Sequence, residues 1–127
     1  MKLLLDTQLL IWTAAGNLPS KAIHYIIDNS NSLYFSAASI WEIVIKSSLE
    51  RKDFVIDPHI LYDNLLVDGY EELPVTSRHS LAVKNLPMLH KDPFDRIFLA
   101  QSIIENIPIL TSDELIKKYP ASVIYVN

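Results

Sequence analysis

Apolar and polar positions follow two rhythms along this chain. Residues 3–5, Leu-Leu-Leu, form a short continuous apolar run closed by Asp6-Thr7, the pattern of a strand buried on both faces that leads into a helix N-cap. A helix is expected from there through roughly Ala15, ended by Gly16-Asn17, and Pro19-Ser20 opens a second one reaching about Asp28. After a polar break at 29–31, residues 33–35 read as the second strand, and Ser36 or Ser39 caps a helix running to about Leu49. Asp57-Pro58 pairs an N-cap with proline at the first helical position. Residues 72–75 read as the third strand, with Thr76 or Ser77 capping the next helix.

Asp92-Pro93 repeats the cap-plus-proline signal, and Phe94, Ile97, Phe98, Ile103 and Ile104 give a broad apolar face to a helix ending near Asn106. Ile109-Leu110 forms the fourth strand, Ser112 starts a short helix, and residues 123–126 form the fifth strand. Strands alternating with helices at this spacing predict parallel pairing through βαβ crossovers. The 127 residues fit one α/β domain, and the chain shows no repeat, low-complexity tract or linker.

Composition removes several chemistries. With only Gly16 and Gly69 present, no phosphate-binding glycine loop, dinucleotide turn or nucleophile elbow can be written. The absence of cysteine excludes disulfides, thiol nucleophiles, iron-sulfur clusters and cysteine-ligated zinc. Asp6 and Gln8 interrupt the first apolar run too early for a signal peptide, and no stretch approaches the roughly 18 to 20 apolar residues of a membrane span. A cytoplasmic protein without membrane association is expected. The net charge of −4 argues against nucleic-acid binding driven mainly by charge, yet residues 1–75 hold five Lys/Arg against ten Asp/Glu while 76–127 hold six against five. An acidic pocket beside basic surface is compatible with that split.

In open parallel sheets, ligands bind beyond the carboxyl ends of the strands where strand order reverses. Four acids stand near such ends: Asp6 after the first strand, Glu42 early in the helix after the second, Asp95 one turn into the helix before the fourth, and Asp113 just after the fourth. Each also has a plain structural role open to it. Asp6 can be a helix cap, Glu42 can pair with Lys46 at i,i+4, Asp95 can be a first-turn acid favoured by the helix dipole, and Asp113 can cap a turn. The apolar flanks of Glu42, namely Ile40, Trp41, Ile43, Val44 and Ile45, point to a partly enclosed carboxylate.

The ordered set of an opening Leu-Leu-Leu-Asp-Thr, an internal Ser-Ala-Ala-Ser-Ile-Trp-Glu-Ile-Val-Ile-Lys, the run from His90 to Gln101 containing Asp-Pro-Phe-Asp-Arg, and a late Leu-Thr-Ser-Asp resembles PIN-domain proteins. The similarity is greatest to VapC-type toxins of toxin-antitoxin pairs, and it covers almost the whole chain. It implies a single PIN domain over 1–127 with a five-stranded parallel sheet ordered 3-2-1-4-5. It further implies a Mg²⁺- or Mn²⁺-dependent ribonuclease whose acids are Asp6, Glu42, Asp95 and Asp113, with Thr7 and Thr111 supporting. Of these acids, Asp6, Asp95 and Asp113 read as direct ligands, and Glu42 as a ligand or the holder of a water. A cognate antitoxin, an RNA substrate and a homodimer are the partners the resemblance implies. Glu50-Arg51-Lys52 departs from the Gly-Lys common after the glutamate-bearing helix.

Elementary electrostatics supports a cation independently of the family. Two carboxylates about 5 Å apart repel by roughly 3 kcal/mol at an effective dielectric near 20, so four in one pocket call for a divalent ion. Oxygen ligands without cysteine suit Mg²⁺ or Mn²⁺ better than zinc. His24, His59, His79 and His90 show no short ligand spacing and read as surface or packing residues. Lys46, Lys91 and Arg96 adjoin the acids in sequence and are the candidate phosphate contacts. Two other readings stand beside this one: a PIN-like RNA- or protein-binding module without catalysis, and a phosphatase or phospho-receiver domain using Asp6 as nucleophile. A dehalogenase-type phosphatase needs a second aspartate where Gln8 stands, and a receiver needs an acidic pair and a phosphorylated aspartate on a middle strand, for which the chain offers no clear candidate.

Overall fold

The computed structural model describes residues 1–49 and 56–127, so the departure at Glu50, Arg51 and Lys52 lies outside the described residues. Strand β1 (Lys2–Leu5) is the middle of the sheet. On one side it pairs in parallel with β2 (Ser32–Ser36), Leu3 opposite Leu33, and on the other with β4 (Ile109–Thr111), Leu5 opposite Leu110. Strands β3 (Glu71–Leu73) and β5 (Val123–Tyr125) complete the expected order β3-β2-β1-β4-β5. Side chains of successive strand residues point to opposite faces. Leu3 and Leu5 therefore enter one core with Leu10, Phe35 and Ile43, while Leu4 enters the other with Phe98, Leu99 and Ile109. Burial on both sides is why the first strand is an unbroken leucine run.

Apart from the second, the α-helices described begin where a polar side chain satisfies free N–H groups. Asp6 caps α1 (Thr7–Ala15), which Gly16 closes at φ 74°. Helix α2 (Ser20–Ile27) comes next. Of the two candidate serines, Ser36 caps α3 (Ala37–Ser48). Asp57 and Pro58 open α4 (Pro58–Val67) as expected. Thr76 caps α5 (Ser77–Ala82), with the His79 ring closing a capping box. Asp92 caps α6 (Pro93–Glu105), and Asn106 ends it at φ 55°. The short α7 (Glu114–Lys117) is capped by Asp113, one residue later than the sequence pattern suggests. Among the described residues, no helix is long and apolar enough to cross a membrane.

The third strand stops at Leu73 instead of reaching Val75, because Pro74 has no N–H to donate to a ladder. The fully buried Gln101 of α6 takes over there: its Nε2 donates to the carbonyls of Leu73 and Pro74, and its Oε1 accepts from Ser36 Oγ. One side chain thus ties α6 to the carboxyl ends of β2 and β3. Gln101→Ala should lower stability by about 2–4 kcal/mol, since it strands buried polar partners and leaves a void. Urea melts of the two proteins check this, and an unchanged midpoint would remove Gln101 from that role.

Candidate metal-binding active site

The strand order reverses between β1 and β4, and the residues that succeed these two strands meet there. Asp6 leaves β1 directly. Its Oδ1 accepts from the Leu9 N–H at 2.9 Å and its Oδ2 accepts from Thr111 Oγ1, so both oxygens of this buried carboxylate are oriented. Burial raises its pKa, opposed by the hydrogen bonds from Thr111 and Leu9. Thr111 Oγ1 in turn accepts from the Asp113 N–H at 3.0 Å, which fixes the turn after β4. Asp113 uses Oδ1 to cap α7 through Leu115 N–H at 2.8 Å.

Helix α6 supplies Asp95 from its first turn, and α3 supplies Glu42. Burial, with the Asp92 charge next, pushes the Asp95 carboxyl up to about 7; Glu42 and Asp113 push the same way and His90 opposes them. Glu42 is 6% exposed, and its Oε2 pairs with Lys46 Nζ at 3.0 Å. Its Oε1 is buried with no hydrogen-bond partner. A cavity of about 230 Å³ gathers Asp6, Glu42, Lys46, Asp92, Asp95 and Asp113, with Thr7, Gln8 and Ser112 also on its wall. Thr7 Oγ1 donates to Ser39 Oγ at 2.9 Å, which joins the start of α1 to α3 beside it.

The family profile described as the PIN domain matches residues 3–121. The chain belongs to the PIN-domain family. Its fold also matches solved structures of VapBC complexes at low identity. The VapBC2 complex from Rickettsia felis, bound to a DNA fragment from its promoter, contains a chain with 15% identity and a TM-score of 0.76, each chain covered over 100%. The DNA-bound VapBC of Salmonella typhimurium matches at 12% and 0.70, with 98% of each chain covered. VapBC-5 of Mycobacterium tuberculosis matches at 16% and 0.65, over 99% of this chain and 98% of that one. No curated protein matches by sequence.

The donor set of this PIN site fits a hard divalent cation. Five carboxylates and one lysine line the cavity, the carboxylates offer hard oxygen atoms, and the Glu42 oxygen without a partner is the kind of buried group that native proteins satisfy.

The four sequence-identified acids therefore come together, and Asp6, Asp113 and the neighbouring Asp92 are helix caps at the same time. The three basic candidates are placed differently. Arg96 is buried and turned inward, its Nη1 donating to the carbonyls of Pro87 and His90 and its Nη2 to that of Val83, so it staples the segment before α6 and does not line the acid cavity. Exposed Lys91 lines a separate groove with Met88 and Ile97, away from the acids, while Lys46 is on the cavity wall. His24 and His59 are exposed and His79 is the packed capping residue, as expected. His90 is different: its Nε2 lies 2.8 Å from Asp95 Oδ2 and 3.4 Å from Asp113 Oδ2. Ligand spacing along the chain does not find it, because its partners come from α6 and from the turn after β4. Its place beside Asp92-Pro93 in the conspicuous 90–101 run is the one sequence signal that points to it.

Proposed function

We propose that this PIN protein is a Mg²⁺- or Mn²⁺-dependent ribonuclease and the toxin of a toxin-antitoxin pair, its residues 1–127 forming one domain. The observation that carries the reading is the convergence of Asp6, Glu42, Asp95 and Asp113, from four separate segments, on one cavity with a buried, unpartnered carboxylate oxygen. Asp6, Asp95 and Asp113 would hold the ion, and Glu42 Oε1 would complete its shell directly or through a water. When bound, the ion supplies the charge that activates water for attack on a phosphodiester and stabilises the leaving oxygen.

The chain's own contribution is preorganisation. Leu9 N–H and Thr111 Oγ1 fix the Asp6 carboxylate, the caps fix Asp113 and the start of α6, and Lys46 at the wall neutralises Glu42 and offers its ammonium to a phosphate oxygen. A phosphoryl-accepting role for Asp6 is disfavoured, because Gln8 stands where a dehalogenase-type phosphatase needs its second aspartate. Retention of all four acids disfavours a module without catalysis. The VapBC composition of the structural neighbours supports a cognate antitoxin as partner, and a homodimer is the assembly that the family resemblance implies.

The test is RNA cleavage by the purified protein with Mn²⁺ or Mg²⁺, abolished by EDTA and by Asp6→Asn. Expression alone should slow bacterial growth, and co-expression with the product of an adjacent small gene should restore it. If wild type and Asp6→Asn were equally harmless at equal soluble levels, the toxin assignment would fail even with cleavage intact in vitro.

A further inference from the structure

We propose that His90 is a positioning residue of the acid cavity, an N–H donor that holds the Asp95 and Asp113 carboxylates in register for the cation without ligating it. This role rests on the metal-binding reading of the cavity and belongs to a side chain that the four-acid pattern leaves out.

The geometry first allows two roles. One ring nitrogen of His90 and one oxygen each of Asp95 and Asp113 lie within 4.8 Å of one another, an arrangement that a metal could bridge or that a hydrogen-bonding proton could occupy. The other ring nitrogen decides between them. The Asp92 backbone N–H, a donor that cannot change its role, points at His90 Nδ1 at 3.2 Å. Nδ1 therefore presents its lone pair, and the ring proton sits on Nε2, facing the carboxylates. A protonated Nε2 has no lone pair for a metal. It does have an N–H aimed at Asp95 Oδ2 at 2.8 Å, with Asp113 Oδ2 at 3.4 Å. A carboxylate oxygen that accepts one N–H keeps a second lone pair, so both acids remain able to ligate.

The backbone of His90 is anchored at both polar atoms. Its N–H donates to Tyr119 Oη at 2.6 Å and its carbonyl accepts from Arg96 Nη1 at 3.4 Å. Tyr119 and Arg96 are themselves buried. The inward-turned arginine thus helps to set the residue that orients two acids. Outer hydrogen bonds of this kind typically change metal affinity 10- to 100-fold.

Two substitutions divide the ring into its two nitrogens. His90→Asn keeps an acceptor near the Nδ1 position for Asp92 N–H but removes the donor to the acids. His90→Gln keeps a donor near the Nε2 position and removes the acceptor. Mn²⁺ affinity is measured by calorimetry on wild type, both variants and Asp95→Asn, with melting in EDTA to compare their folds and electron spin-echo modulation of bound Mn²⁺ to detect a coordinated nitrogen. The expected result is wild-type-like melting for His90→Asn with Mn²⁺ affinity about 10-fold weaker, near-wild-type affinity for His90→Gln, and no directly bound nitrogen in wild type.

Unchanged affinity in His90→Asn, or equal weakening in both variants, overturns the positioning role while leaving the metal site intact. A bound-nitrogen signal in wild type that disappears in His90→Asn overturns it in favour of ligation. Wild-type protein that binds no Mn²⁺ overturns the metal reading itself, and the proposal with it.

Discussion

Asp95→Asn is expected to abolish metal-dependent RNA cleavage while making the metal-free protein more stable at pH 8. Loss of one charged element from a preorganised site is worth on the order of 100-fold or more in rate. The stability change comes from the sign of the shift. Burial and the neighbouring acids raise the folded-state pKa of Asp95 from 3.8 to about 7, so the folded protein holds this proton more tightly than the unfolded chain does. Its favourable contribution is fully present below the unfolded-chain value and disappears as pH rises through about 7.

An amide at 95 is neutral throughout. In EDTA, Asp95→Asn should therefore melt above wild type at pH 8, and the gap should close toward pH 5 as wild type takes up its proton. Asp92→Ala, three residues away, should do the opposite. It loses the cap on Phe94 N–H, at a cost of roughly 0.5–2 kcal/mol, and keeps most of the activity. Melting and cleavage measured side by side check both, and an inactive but well-folded Asp92→Ala beside an active Asp95→Asn would reverse the assignment of ligand and cap.

The second large effect is stabilisation by the ion. A ligand that binds only the folded state at a hundred times its dissociation constant adds about 2.7 kcal/mol, and for a domain of this size each kcal/mol raises the melting temperature by several degrees. Millimolar Mn²⁺ should therefore raise Tm by roughly 10 °C relative to EDTA, and the rise should collapse in Asp6→Asn and Asp95→Asn. A melting curve indifferent to Mn²⁺, together with cleavage insensitive to EDTA, would eliminate the metal-dependent mechanism.

Much of this architecture is legible in the sequence because local signals agree with the global fold. The leucine run, the Asp-Pro caps at 57–58 and 92–93 and the left-handed positions at Gly16 and Asn106 each mark an element end where the structure places one. Asp6, Asp95 and Asp113 come at or close to such an end, whereas Glu42 lies in the middle of α3 and is marked only by its apolar flanks. What escapes is set by tertiary geometry. Arg96 and Asp95 are adjacent in the chain, but a helix separates successive residues by about 100°, which sends one side chain to the cavity and the other beneath the 83–90 segment. Gln101 and His90 have partners distant in sequence or on other elements, so no spacing announces them. Strand β3 ends early because a proline cannot donate, a local fact that a strand-like composition conceals.

The position of β1 also determines when the cavity can form during synthesis. The first strand made is the central one, yet one of its two partners is β4, and the Asp6 carboxylate is oriented by Thr111, more than a hundred residues later. Asp6 and Glu42 leave the ribosome early, whereas Asp95, Thr111 and Asp113 emerge only when most of the chain has been translated. Pairings this distant in sequence are assembled late in folding. A nascent polypeptide short of β4 therefore lacks Asp113, Thr111 and the geometry that joins all four acids. The message and the ribosome producing it face a complete acid cavity only after the C-terminal strands have emerged and closed the sheet.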